Sequence, residues 1–267
     1  MPHITVNGAL LYYEEQGAGP ETVVFAHGLL WSGAMFQAQV DELKANYRCI
    51  TFDFRGQGKS AVTTTGYDMD TLAEDAAALI AELCEGPVHF VGLSMGGFIG
   101  MRLAIRRPEL LRSLVLLETS ADPEPEENIP GYKRLNFVAR WFGLGLVANS
   151  VMKIMFGDSF LQNPDRKEER EAWRERLVSN HRLGITRAVQ GVIEREGVYD
   201  KLGEIDRPTL IMVGEEDVAT VPAKAERIHQ AIAGSELVRI DRAGHTSTVE
   251  EPGQVNTQLA SFLKRVS

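Results

Sequence analysis

The sequence predicts an α/β fold, a mostly parallel sheet of eight strands with helices on both faces. Two observations lead to this prediction. Short apolar runs alternate with helical patterns along most of the chain, which is typical of parallel strands joined by crossover helices. The runs also lack polar alternation, as expected for strands buried on both faces. With 267 residues, 44% of them hydrophobic and 24% charged, the chain is long enough for one domain with a large core.

The elements follow from these patterns in chain order. The first strands are predicted at 3–9 and 10–16, an antiparallel pair in which Asn7-Gly8 is a typical hairpin turn. Further apolar runs predict strands at 22–27, 48–53, 88–93, 111–118, 208–214 and 236–241. Helical patterns lie between or after them, at 35–46, 70–84, 95–107, 222–233 and 249–266. The stretch 122–202 interrupts this alternation, since it opens with three prolines and then becomes helical.

A candidate nucleophile lies in the turn Gly92-Leu93-Ser94-Met95-Gly96. The turn follows the apolar run 88–91 and precedes a helical pattern, so it has the strand, sharp turn and helix that a nucleophilic serine requires. Glycines two residues either side of Ser94 avoid collisions in such a strained turn. The Gly-x-Ser-x-Gly match alone is of moderate specificity, because the chain has 25 glycines. The strand and helix around it make Ser94 the predicted nucleophile.

A nucleophilic serine needs a base and a carboxylate, and both occur further along the chain. His245 follows the last strand-like run, and Asp217 follows the run ending at Gly214. The carboxyl ends of parallel strands converge on one crevice, so Ser94, Asp217 and His245 are expected to meet there. Three other carboxylates compete with Asp217 for its role, namely Asp122, Glu215 and Glu216.

Acyl transfer also requires donors for the developing oxyanion. The backbone N–H of Met95 directly follows the candidate nucleophile, and that of Leu29 lies in the loop after the third strand. Gly28 allows that loop to turn tightly. We therefore expect the Leu29 and Met95 amides to form an oxyanion hole.

The chain resembles the serine hydrolases of the α/β-hydrolase fold over nearly its whole length. The resemblance rests on His27-Gly28, Asp53 to Ser60, Gly92 to Gly97, Gly214 to Asp217 and Gly244-His245. Within that superfamily the chain is most similar to small carboxylesterases grouped with 3-oxoadipate enol-lactonases and cofactor-free haloperoxidases. The family pattern Gly-x-x-Asp ahead of a proline-started helix favours Asp217 over its three competitors. The resemblance implies hydrolysis of a small carboxylic ester or lactone through an acyl-enzyme on Ser94, with neither metal nor organic cofactor.

Other activities on the same triad stay open. They are perhydrolysis as in cofactor-free haloperoxidases, carbon–carbon bond hydrolysis and hydroxynitrile lysis. A ligand-binding receptor without catalysis is a further alternative, because this fold also includes receptors. Several perhydrolases of this fold have a proline in the loop that corresponds to Leu29 to Ser32. This chain has none there, which argues against perhydrolysis but leaves it open.

The resemblance also implies a helical cap after the sixth strand. We predict a hydrolase core of 1–121 and 203–267 and a cap of 122–202 that forms a small lid above Ser94. The cap is rich in bulky apolar residues, and Trp31 is a further bulky apolar residue, beside the expected oxyanion hole. The expected substrate-binding residues are Trp31, Phe137, Trp141 and Phe142.

Charge and cysteine content bound the remaining properties. The net charge of −9 would repel a phosphate backbone, so nucleic acid is an unlikely partner. The two cysteines provide neither a disulfide framework nor metal-ligand spacing. The most lipid-like window, 141–152, is too short to span a membrane, and the first residues do not resemble a signal peptide. These patterns predict a cytoplasmic protein, and they leave the oligomeric state open, with a homodimer among the options.

Overall fold

Eight strands form one sheet in the computed structural model, which describes residues 2–267. Their bounds are His3–Val6 (β1), Ala9–Gln16 (β2), Thr22–Ala26 (β3), Arg48–Phe52 (β4), Val88–Leu93 (β5), Leu111–Leu117 (β6), Thr209–Gly214 (β7) and Glu236–Ile240 (β8). The spatial order is β1-β2-β4-β3-β5-β6-β7-β8. β2 is antiparallel to β1 and β4, whereas all pairs from β4 to β8 are parallel. The predicted eight-stranded, mostly parallel sheet is therefore confirmed.

Helices cover the sheet and also fill the long interval between β6 and β7. Their bounds are Gln37–Leu43 (α1), Met69–Leu83 (α2), Met95–Arg106 (α3), Ile129–Phe142 (α4), Ala148–Met155 (α5), Asp158–Gln162 (α6), Lys167–Ser179 (α7), Arg182–Ile193 (α8), Pro222–Ala231 (α9), Ser247–Glu250 (α10) and Pro252–Val266 (α11). Helices α4 to α8 all lie between β6 and β7. No helix within residues 2–267 is long and apolar enough to cross a membrane.

Two apolar clusters lie on opposite faces of the sheet. Successive residues of a strand point to opposite faces, so Val24 and Ala26 join one cluster and Val23 and Phe25 the other. The first cluster is closed by α2, α3 and α9, and the second by α1, α11 and α5. Strands β5 and β7 are buried along their whole length, which explains why they lack polar residues at alternate positions.

Local sequence signals determine where several helices begin and end. The Asp68 carboxylate accepts a hydrogen bond from the backbone N–H of Thr71 at 2.8 Å and so caps α2. The predicted helix 249–266 is divided in two, because Glu251 leaves the helical conformation and Pro252 begins α11. The helical periodicity continues across Glu251, so Pro252 is the one local signal of this break.

Candidate active site

Ser94 lies at the turn between β5 and α3, in a strained backbone conformation. Its φ of +52° and ψ of −108° fall outside the regions that non-glycine residues normally adopt. The backbone N–H of Ser94 donates to the carbonyl of Leu117 in β6 at 2.8 Å, and the Thr119 hydroxyl donates to the Ser94 carbonyl at 2.8 Å. Bonds to the neighbouring strand and the residues after it therefore hold the turn from both sides.

The glycines flanking Ser94 are required by close backbone approaches. A Cβ atom at Gly96 would lie 2.0 Å from the carbonyl oxygen of Ala26, and one at Gly92 would lie 2.3 Å from that of Gly96. Both distances are far below van der Waals contact. The spacing of glycines seen in the sequence is thus a packing requirement of the strand, turn and helix.

Ser94, His245 and Asp217 form one hydrogen-bonded series. The imidazole Nε2 of His245 is 2.8 Å from Ser94 Oγ, and its Nδ1 is 2.9 Å from Asp217 Oδ2. All three residues are less than a tenth exposed. Such a series can remove the proton from a serine hydroxyl while the carboxylate holds the imidazole in one tautomer.

Asp217 is held in place by the loop that follows it. Its Oδ1 accepts from the backbone N–H groups of Ala219 and Thr220 at 2.8 and 3.0 Å, and the Thr220 hydroxyl donates to Oδ2 at 2.8 Å. Burial acts to raise the pKa of Asp217, but His245 and the Thr220 donors outweigh it and lower the pKa below its usual value. The group is therefore a carboxylate facing the imidazole. No motif in the sequence indicates this role of Thr220.

The three competing carboxylates lie in other interactions. Asp122 pairs with Lys224 at 2.8 Å and with Arg227 at 3.2 Å. Glu216 accepts from the backbone N–H of Ser159 at 2.7 Å and from its hydroxyl, which fastens α6 to the loop after β7. Glu215 lies 3.4 Å from Arg239 at the surface. Of the four candidates, only Asp217 contacts His245.

The backbone N–H groups of Leu29 and Met95 have no hydrogen-bond acceptor within residues 2–267. A Cβ atom at Gly28 would lie 3.5 Å from Ser94 Cβ, so the loop carrying Leu29 runs beside the candidate nucleophile. Two unpaired donors beside a serine hydroxyl can bind an oxygen that becomes negatively charged.

The loop that follows β4 supports the loop that carries Leu29. The side-chain carbonyl of Gln57 accepts from the N–H of Leu30 at 2.9 Å, and Asp53 Oδ1 accepts from the N–H of Gly33 at 2.8 Å. His27 Nε2 accepts from the N–H of Phe54 at 3.0 Å, so its Nδ1 carries the proton and donates to the Gly28 carbonyl at 2.7 Å. These bonds fix the direction of the Leu29 amide.

A cavity of about 110 Å³ opens directly onto Ser94 and His245. A water molecule needs roughly 10–15 Å³, so the cavity is large enough for a small organic molecule. Its walls come mainly from α4, α5 and α8. The apolar lining includes Leu135, Ala139, Leu144, Val147, Val151, Ile154, Met155, Ile185 and Val189.

Three aromatic residues of α4 do not line this cavity, although the sequence predicts that they bind substrate. Phe137, Trp141 and Phe142 are 58%, 65% and 66% exposed and lie on the outer face of the helix. The cavity is lined by the opposite face, which carries Leu135 and Ala139. Residues two positions apart on a helix project about 200° from one another, which separates Phe137 from Leu135 and Ala139.

Trp31 is also absent from the cavity lining. It is 3% exposed, and its ring packs edge-on against Phe156 and Trp173, with ring centres 5.8 and 5.2 Å apart. The preceding residue, Leu30, has a φ of +75°, and Trp31 after it contacts Trp173 of α7. Trp31 therefore joins the loop that carries Leu29 to the helical segment between β6 and β7.

Two buried glutamates lie near the Asp217–His245 pair, and the sequence analysis did not identify either of them. Glu118, at the end of β6, is fully buried, and burial together with the nearby charges of Asp217 and Glu250 raises its pKa well above the usual value. Glu250 accepts from the backbone N–H groups of Gly157, Gly244 and Thr246, at 2.8, 3.0 and 3.0 Å. It thus holds both neighbours of His245 and one residue of the helical segment between β6 and β7.

Glu250 provides a testable pH dependence of stability. Burial raises its pKa to about 7, so the folded protein binds this proton more tightly than the unfolded chain does. The free energy of unfolding should fall as the pH rises from about 4.5 to about 7, by on the order of 3 kcal/mol from this group. Glu250→Gln should remove that part of the dependence in urea denaturation curves measured across the range. Glu251→Gln, at the partly exposed neighbour, should retain it, and equal pH dependence in both variants would contradict the assignment.

The chain belongs to the α/β hydrolase fold family. The model of that family matches residues 21–252, which include the whole hydrogen-bonded series Ser94, His245 and Asp217.

Individual relatives come from several kinds of hydrolase and related enzymes. The chain is 29% identical to 3-oxoadipate enol-lactonase 1 of Acinetobacter baylyi, over 93% of this chain and 91% of that one. A thermophilic esterase from Thermogutta terrifontis superposes with a TM-score of 0.92 and 29% identity, covering 100% of this chain and 99% of the esterase. A bromoperoxidase from Bacillus anthracis superposes with a TM-score of 0.85 and 26% identity, covering 96% of both chains.

Proposed function

We propose that this protein is a serine hydrolase that cleaves small carboxylic esters or lactones through an acyl-enzyme on Ser94. The observation that carries the proposal is the series of hydrogen bonds from Asp217 through His245 to Ser94, at the wall of a cavity sized for a small molecule. Similarity to an esterase and to an enol-lactonase supports the same reaction class.

In the first step, Ser94 attacks the carbonyl carbon of the ester. His245 Nε2 takes the hydroxyl proton, and Asp217 stabilises the imidazolium that results. The carbonyl oxygen becomes an oxyanion and accepts hydrogen bonds from the Leu29 and Met95 amides. His245 then gives the proton to the departing alkoxide, which leaves as an alcohol, and the acyl group stays on Ser94.

In the second step, water replaces the alcohol. His245 removes a proton from the water, which attacks the acyl carbon through the same oxyanion arrangement. Collapse of the tetrahedral intermediate returns the proton to Ser94 and releases the carboxylic acid. With a lactone, acid and alcohol remain one molecule, so the product is a hydroxy acid.

The helical segment between β6 and β7 is proposed to act as the cap, residues 122–202, and to determine which acyl groups fit. Its helices α4, α5 and α8 supply most of the cavity walls, and these walls are mainly aliphatic. The small volume favours short acyl chains, since longer chains meet the walls. The cap is thus the part of the molecule in which substrate preference resides.

The acyl-chain profile is the direct test of this proposal. Each added methylene should improve kcat/KM about fourfold while it remains in the cavity, following from about 0.8 kcal/mol per buried CH₂. We expect kcat/KM for aryl esters to rise from acetyl to about butanoyl or hexanoyl and then to fall. If neither these aryl esters nor small lactones assayed beside them are hydrolysed, the proposed function is refuted, and rates still rising at dodecanoyl would refute the compact cavity.

A matched pair of substitutions on α4 locates the wall. Ala139→Leu extends a side chain into the cavity and should move the best acyl chain to a shorter length. Phe137→Ala, on the exposed outer face of the same helix, should leave the profile unchanged. A shifted profile in Phe137→Ala instead would mean that the outer face binds substrate.

Perhydrolysis is a second candidate activity, favoured by the similarity to a bromoperoxidase. It needs the same acyl-enzyme, with hydrogen peroxide in place of water as the acceptor, and it yields a peracid. Peracid formation measured beside ester hydrolysis tests it, because the ratio of the two products reports which acceptor the acyl-enzyme prefers.

A further inference from the structure

A buried ion pair forms part of the wall of the cavity that opens onto Ser94. Arg195 Nη1 donates to Glu124 Oε2 at 2.7 Å, and both side chains are less than a tenth exposed. Both residues line the cavity. Most of the remaining lining is aliphatic, so the ion pair adds a charged region to the cavity, besides the polar groups at Ser94 and His245.

The pair lies within the reach of a small substrate bound at Ser94. The Arg195 guanidinium stacks on the ring of Phe98 at 4.4 Å, and Phe98 is one helical turn from Ser94, to whose carbonyl its N–H donates. Tyr132 lines the same cavity as these groups, and burial together with the charge of Glu124 raises its pKa to about 12. The ion pair and the candidate nucleophile therefore belong to one site.

Three of the five N–H groups of the Arg195 guanidinium donate to groups of the protein itself. Besides Glu124, the guanidinium donates from Nε to the carbonyl of Asp122 at 3.2 Å and from Nη1 to that of Val192 at 2.9 Å. Arg195 and His245 are the basic residues that line the cavity in the described chain. A substrate carboxylate would thus meet the negative charge of Glu124 where a free guanidinium would otherwise attract it.

We propose that Glu124 is a specificity-determining residue that occupies the carboxylate-binding position on Arg195 and so restricts the enzyme to uncharged esters and lactones. The inference rests on the proposed function, because it concerns the substrate of the same site. The acyl group enters with its aliphatic part among the cap residues. An acyl group ending in a carboxylate is rejected by Glu124, although its size alone would fit.

Two esters of nearly equal shape test the proposal. Methyl hydrogen succinate ends in a carboxylate, and methyl 4-oxopentanoate ends in a methyl ketone in the same place. The wild-type enzyme should show a kcat/KM at least about tenfold lower for the anionic ester. In Glu124→Gln, which keeps the shape but removes the charge, the anionic-to-neutral ratio should rise by about tenfold or more.

Two controls separate charge selection from a purely structural ion pair. Glu126→Gln, at an exposed glutamate two residues away, should leave the ratio as in the wild type. The double variant Glu124→Gln/Arg195→Gln should lose the gain, since it lacks the cation. Binding of both esters to Ser94→Ala and to Ser94→Ala/Glu124→Gln, measured by calorimetry, gives the same comparison without turnover.

The possible results are distinct. Failure of the wild-type enzyme to hydrolyse either ester, with the binding ratio changed as expected, would overturn the proposed function and not the charge selection. An unchanged ratio in Glu124→Gln, or equal use of the two esters by the wild-type enzyme, would overturn the role of Glu124. If Glu124→Gln does not fold, the proposal stays open to refutation, because equal use of the two esters by the wild-type enzyme would still overturn it.

Discussion

Replacing Ser94 by alanine should lower kcat for ester hydrolysis by about 10⁵-fold or more while the protein stays folded. The hydroxyl is the group that forms the acyl bond, and the members of such a triad act as a unit, so removing the nucleophile loses nearly the whole chemical contribution. The backbone strain at Ser94 does not depend on the hydroxyl, and alanine adopts the turn as well as serine does. Initial rates with an aryl butanoate measure the loss of kcat, and a thermal melt of the variant shows that it is folded.

Ser113→Ala is the matched control for this substitution. Ser113 is fully buried in β6 and is 2.8 Å from His89 Nδ1, but it does not line the cavity. Its loss should reduce thermal stability and leave kcat nearly unchanged. Substantial hydrolysis by well-folded Ser94→Ala would show that another group carries out the reaction.

Asp217→Asn should lower kcat by about 10⁴-fold, because an amide in this position favours the wrong tautomer of His245. The carboxylate accepts three hydrogen bonds from the loop at Thr220, so its geometry is fixed before substrate binds. The asparagine retains the size of the group, which isolates the loss of charge and of acceptor capacity. The measurement is kcat with the same aryl ester, compared with the wild type.

The competing carboxylates supply the controls for this second substitution. Asp122→Asn breaks a surface pair with Lys224, and Glu216→Gln weakens the bond to Ser159, so each should cost less than about tenfold in kcat. A crippling effect of Asp122→Asn with little effect of Asp217→Asn would transfer the role of the acid to the residue after β6.

The turn around Ser94 was predictable because its determinants are local. Two glycines, a preceding apolar run and a following helical pattern lie within about 20 residues, and each has its own steric reason. His245 and Asp217 were also predictable, since parallel strands deliver their carboxyl ends to one edge of the sheet. The structure brings the three together at 2.8 and 2.9 Å, as those positions imply.

The lining of the cavity could not be predicted in the same way. Helix α4 has apolar residues on both faces, Leu135 and Ala139 on one and Phe137 and Trp141 on the other, so its periodicity does not reveal which face is buried. The larger side chains of Phe137 and Trp141 suggested that the aromatic face lines the cavity. In the structure the smaller residues of the opposite face line it instead. The direction was set by packing against α8, a contact between segments about 50 residues apart.

Buried charges were missed for a related reason. Neither Glu250 nor Glu124 lies in a recognisable sequence motif. Each interacts with partners far along the chain, Gly157 for Glu250 and Arg195 for Glu124. A glutamate in a linear sequence is normally a surface residue, so composition points the other way. Only the fold identifies them as parts of the site.

Covalent labelling tests most directly whether Ser94 is the nucleophile. A fluorophosphonate reacts with an activated serine and releases fluoride, leaving a phosphonyl group on the oxygen. We expect intact-mass measurement to show one adduct per chain, peptide mapping to place it on Ser94, and Ser94→Ala to remain unlabelled. An unlabelled wild-type protein, or an adduct on a different residue while ester hydrolysis continues, would show that Ser94 is not the nucleophile.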